Sequence, residues 1–198
     1  MLHYHYIPTS FLLQWTIPNR AQALRASIAM NRIEQYLAAA RFQMDRIESR
    51  LDRHDKARPV AGYHEPLPQA FCEIHFYFIC WNAIVDMIKE LAQHSGCAAA
   101  RSFWRRRHRI LERYATARHH LEHFTEQLPR KNTQKPEAKL HEMGFVQRGS
   151  FTLAGQRWDV SRASFTRLER MIGELNKQFR AEAMTRHQAM EVKGRRNP

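Results

Sequence analysis

From Asn19 to about Arg53 the apolar residues Ile33, Leu37, Ala40, Met44, Ile47 and Leu51 recur in steps of three and four, which is the period of one helical face. The spacing predicts a long amphipathic helix. Asn19 stands where its side-chain oxygen can accept a backbone N–H and cap the helix start. Between Ala57 and Pro68 three prolines and a glycine break the pattern, so this stretch reads as a connecting loop. A second helix is expected from about Gln69 to Gln93. Its aromatic residues Phe71, Phe76, Tyr77, Phe78 and Trp81 cover much of its circumference. That distribution fits a central helix packed by its neighbours better than a stacking platform for bases.

After Ser95-Gly96 a third helix is expected from near Ala98 to about Leu128, with Pro129 beyond it. Its apolar stripe is Ile110, Tyr114, Ala117, Leu121, Phe124 and Leu128. Pro129 to Lys139 is polar and basic and reads as a loop. The run GFVQRGSFTLAGQRWDV then alternates on either side of Ala154-Gly155, which predicts a small hairpin over about 143–160. Ser161 is placed to cap a fourth helix with the stripe Phe165, Leu168, Ile172, Leu175 and Phe179. The sequence is therefore expected to be all-α, an antiparallel bundle of about four long helices with a β-hairpin insertion. A single domain over 1–188 and a basic, unstructured tail over 189–198 complete the expected organisation.

Charge sharpens the picture. The chain's 198 residues hold 32 Lys plus Arg against 19 Asp plus Glu, for a net charge of +13 that favours polyanionic partners. Arginine outnumbers lysine 25 to 7, and its planar fork can bind two phosphate oxygens at once. Nucleic acid is the leading partner class. The three cysteines, Cys72, Cys80 and Cys97, form no C-x-x-C pair, which argues against a disulfide framework or zinc ribbon and for a reducing, cytoplasmic setting. The apolar run Phe11 to Trp15 lacks a basic flank and is too short for a signal peptide. The most apolar segment, Phe71 to Leu91, carries Glu73, His75, Asp86, Lys89 and Glu90, so a buried helix is expected there rather than a bilayer span. No phosphate loop, dinucleotide fingerprint or nucleophile elbow is present.

Chemistry concentrates in ARHHLEHF, 117–124. Arg118 and His123 are the sole Arg-x4-His pair in the chain, although roughly one or two such pairs are expected by chance at this composition. On an ideal helix Arg118 lies about 80° from the centre of the apolar stripe, His119 about 180° and His123 about 220°, so Arg118 and His123 diverge by some 140°. His120 falls about 80° to the other side of the stripe and reads as structural. Two short side chains could not meet across that angle on one straight helix, and a second copy related by a two-fold axis would help close the cleft. Two plain readings compete with a catalytic site. Arg118 and Glu122 could form an ordinary i,i+4 ion pair, and His119 and His123 could share a metal, although the flanking Glu122 and Glu126 complete no recognised zinc spacing. Upstream, RRRHR places Arg105, Arg106, Arg107 and Arg109 on the same helix as candidate RNA-binding residues.

RHHLEH, 118–123, resembles the Arg-polar-x3-His motif of the HEPN superfamily, all-helical proteins that include many metal-independent ribonucleases of defence and toxin-antitoxin systems. The resemblance implies a functional arginine at Arg118, the polar position at His119 and a functional histidine at His123. Two residues on, where some family toxins carry tyrosine, this chain has Thr125. It also implies a homodimer with paired motifs, RNA as substrate, no cofactor and no metal. A cognate antitoxin or nucleotidyltransferase is the implied regulatory partner, and no membrane is involved. Two other readings stand beside it: a non-catalytic basic helical nucleic-acid-binding protein, and an inactive HEPN-like adaptor.

Overall fold

The structure, a computed structural model, describes residues 8–56, 66–94, 96–122, 145–147, 149–153 and 156–194. Among these, the elements follow in the order α1 (Thr9–Thr16), α2 (Arg20–Lys56), α3 (Pro66–Gln93), α4 (Ala98–Glu122), β1 (Phe145–Gln147), β2 (Ser150–Leu153), β3 (Gln156–Asp159) and α5 (Arg162–Gly194). Helices α2 to α5 are the four long helices expected, and the β insertion falls within 143–160. The insertion is a three-stranded antiparallel sheet, β1-β2-β3, rather than a lone hairpin.

Several boundaries differ from the sequence expectation, each for a local reason. Helix α3 begins at Pro66, inside the expected loop, because the first helical turn needs no N–H donors and proline's fixed φ suits it. Helix α1 was not expected; its eight residues bury Leu12 and Leu13. Helix α5 continues through Gly194, so 189–194 of the expected tail are helical. The loop expected over Pro129 to Lys139 and the stripe residues Phe124 and Leu128 lie outside the described residues, as do 195–198.

Contacts gather into two compact units, one from 1–36, 83–109 and 169–198, the other from 37–82 and 110–168. In the first, Asn19 caps α2 as expected, its Oδ1 accepting the Gln22 N–H at 3.0 Å. Ser27 is buried in α2 but satisfied, donating to the carbonyls of Ser10 (2.7 Å) and Ala23 (2.9 Å) and so tying α1 to α2. The core of this unit draws Met30 and Ile33 from α2, Ile84, Val85, Ile88 and Leu91 from α3, Phe103 from α4, and Ile172, Leu175 and Phe179 from α5. Helix α5 also clamps the α3–α4 turn. Glu182 Oε2 accepts the Ala99 N–H at 3.0 Å, supplying the start of α4 with a carboxylate, and Arg186 donates to the Gly96 carbonyl at 3.0 Å.

The second unit is built on aromatic residues. Trp81 and Tyr114 stack at 4.0 Å between centroids and 11° between planes, while Phe78 packs tilted or edge-on against Phe151 and Trp158. Three of the polar groups carried into this core on aromatic rings find partners there. Trp158 Nε1 donates to the Arg113 carbonyl at 2.9 Å, Tyr114 Oη to the Asp159 carbonyl at 3.1 Å, and Tyr77 Oη meets Ser164 Oγ at 2.9 Å. Burial pushes the phenols of Tyr77 and Tyr114 up from their ordinary range. The sheet is thereby fastened to α4, with Phe151 opposite Trp158 in the β2–β3 register. Ser161 precedes α5 as expected, but its hydroxyl and N–H both go to Asp159 Oδ1, at 2.5 and 3.0 Å. The residue read as a cap thus closes an Asx turn.

Gly149 makes the tight turn between β1 and β2 with φ +74°, and a Cβ there would stand 2.9 Å from that of Ser161. Gly149→Ala is expected to destabilise the protein by roughly 1–3 kcal/mol, the cost of a strained left-handed residue plus displacement of Ser161. Urea unfolding would show it. A midpoint unchanged from wild type would mean that the turn relaxes freely.

Candidate nucleic-acid interface and catalytic motif

Successive residues on a helix step about 100° around its axis, so the run from Arg105 to Arg109 is necessarily split among faces. Arg105, Arg106 and Arg109 are exposed. Arg106 is steadied by its own helix, its Nη1 donating to Ser102 Oγ at 2.5 Å. Arg107 differs from the expectation for this group. It turns toward α5 and gives Nη2 to both oxygens of Glu174, at 2.8 and 3.1 Å, which ties the two helices together. Sequence spacing could not show this, because Glu174 is 67 residues away. Lys89 lies over the Trp104 ring at 5.2 Å, and the His108 ring is 6.1 Å from the same indole.

In the motif, Arg118 donates Nε to Glu122 Oε1 at 2.7 Å with 38% of its side chain exposed. The plain i,i+4 pairing foreseen for this arginine is therefore present. An exposed pair of this kind contributes only about 0.3–0.5 kcal/mol, so a phosphodiester anion could replace the carboxylate at little cost. His119 is exposed. His120 is half-buried with its ring 5.9 Å from Trp158, which agrees with its structural reading. His123 lies outside the described residues.

Sequence reading missed a set of contacts that the fold makes around Arg113 in the second unit. Arg113 of α4 donates Nη2 to the carbonyl of Arg157 in β3 at 2.7 Å, and Arg113 and Arg167 of α5 both act electrostatically on Tyr114. Three separate elements contribute, and the indole of Trp158 docks on the Arg113 carbonyl across 45 residues, which no local spacing in the sequence signals.

Among the described residues no group of three or more His, Cys, Asp or Glu is arranged to hold a metal ion. Cys72 is exposed, whereas Cys80 and Cys97 are buried free thiols that burial pushes up to about 11. Also among the described residues, Ala70–Gln93 is long and apolar enough by length and composition to cross a membrane, and half of it is buried within the fold, as in a core helix. Comparison with protein-family models, curated proteins and solved structures finds no match.

Proposed function

We propose that this chain is a metal-independent endoribonuclease of the HEPN type, a toxin or defence effector that works as a homodimer on RNA in the cytoplasm. The observation that carries this reading is the placement of Arg118 at the surface of α4, held by the exposed Glu122 carboxylate beside the exposed His119. A guanidinium in that position can reach a phosphate, which one locked in the core could not. His123 acts as general base, taking the proton of a ribose 2′-hydroxyl as its oxygen attacks the adjacent phosphorus. The bond from phosphorus to the 5′-oxygen breaks, a proton goes to that leaving oxygen, and a 2′,3′-cyclic phosphate remains. Arg118 stabilises charge on the phosphoryl oxygens, His119 supplies the proton to the leaving oxygen, and Arg105, Arg106 and Arg109 bind the RNA backbone.

Binding is tested by the affinity for labelled single-stranded RNA across a salt series. The logarithmic slope is expected to be steep, and the triple variant Arg105→Gln, Arg106→Gln, Arg109→Gln to flatten it by about 2, since each single-strand phosphate contact contributes roughly 0.7. An unchanged slope would remove these arginines from the interface. Glu122→Gln releases Arg118 from its partner and is expected to strengthen RNA binding a few-fold, whereas weaker binding would show that Glu122 positions the arginine productively.

The Arg118–Glu122 pair also favours a second reading, a basic helical protein that binds nucleic acid without cutting it. In that case the triple arginine variant loses binding and His123→Ala changes nothing.

A further inference from the structure

We propose that the face of α2 around Phe42 is a stacking subsite for an unpaired base of single-stranded RNA, an inference that rests on the RNA reading above. Phe42 projects away from the α2 stripe formed by Ala40, Met44 and Ile47, which are fully buried, and keeps 56% of its surface exposed. A single exposed ring is unremarkable on a protein surface. This one stands under a fixed cation: the Arg46 guanidinium lies 5.4 Å from its centroid and is anchored by Glu73, a largely buried carboxylate of α3, through contacts of 2.7 Å from Nε and 2.6 Å from Nη2. Ring and cation are thus set in place before any ligand arrives.

Around them Phe42, Asp45, Arg46, Ser49 and Arg50 line an open groove of about 410 Å³, within the size range of about 300–1,000 Å³ usual for small-molecule sites. The acid in this groove, Asp45, accepts a hydrogen bond from Arg162 at 2.6 Å, and the same arginine also pairs with Glu48. Arg46 keeps 44% of its side chain exposed, and Arg50 lines the same groove beside it. An exposed π-face beside arginines is the combination by which proteins hold single-stranded nucleic acid, the base on the ring and the phosphate on the cations. On α3, Phe76 is a second exposed ring (53%), three residues beyond Glu73. A double helix could not use such a site, because its bases are already stacked on one another.

The test is titration of the full chain into a single-stranded RNA 12-mer carrying 2-aminopurine, whose fluorescence falls on stacking, alongside an RNA duplex of equal length. Phe42→Leu and Phe42→Ala are both expected to lose the quenching and about ten-fold in single-strand affinity. Phe42→Trp is expected to retain both, and duplex binding to stay unchanged in every variant. Full affinity in Phe42→Leu would mean an apolar contact without stacking and overturn the proposal. So would a dimer that dissociates on Phe42→Ala in light scattering, because the face would then be a subunit interface. If the wild type binds no RNA, the functional reading itself has failed; if it binds with a steep salt slope and all Phe42 variants match it, the subsite alone has failed.

Discussion

Replacing His123 by alanine is expected to lower the single-turnover rate of RNA cleavage by roughly 10²–10⁴-fold, the usual contribution of a positioned general acid or base, and to leave RNA affinity unchanged. Binding and chemistry separate here because a neutral imidazole contributes little to phosphate attraction, whereas the proton transfer has no substitute. Arg118→Ala is expected to act on the same step, and Arg118→Lys to restore little, since an ammonium cannot present two parallel N–H groups to a phosphoryl group. The readout is the first-order rate at saturating protein, with affinity measured in parallel. A His123→Ala rate within three-fold of wild type would remove the histidine from the chemistry and favour the binding-only reading.

The largest expected effect on stability is at Trp81. Its side chain is fully buried and stacked at 4.0 Å on Tyr114, itself hydrogen-bonded to the carbonyl of Asp159. Trp81→Ala empties the volume of an indole between α3 and α4, and Tyr114, fixed by that hydrogen bond, cannot collapse into the space. A loss of about 3–5 kcal/mol is expected, measurable as a reduced urea midpoint. A loss below about 1 kcal/mol would contradict the packing around this residue. Trp104, half-buried beside Lys89 and His108, is the natural comparison and is expected to be far more tolerant.

The sequence was most informative where burial follows a helical period. All five stripe residues of α5 are buried, and Ile33, Ala40, Met44 and Ile47 of α2 are fully so, because a long helix with one covered face must repeat its apolar residues every three or four positions. The aromatic run of α3 divided: Tyr77, Phe78 and Trp81 entered the core, while Phe71 and Phe76 remained outside at 37% and 53% exposure. Residue type alone could not separate them, since all five suit a core. Partnerships across the fold were equally illegible. Arg107 looked like its neighbours until Glu174 was brought beside it, and Arg113 joined Arg157 only when the sheet docked on α4. The local pair Arg118–Glu122 was legible because i,i+4 spacing places the two on adjacent turns.

The most direct measurement incubates the purified protein and its His123→Ala variant with labelled RNA in excess EDTA and identifies the product ends. Cleavage by the wild type alone, leaving 2′,3′-cyclic phosphate and 5′-hydroxyl ends, is the expected result. Tight binding with no cleavage, or cleavage that EDTA abolishes, would contradict a metal-independent nuclease built on Arg118 and His123.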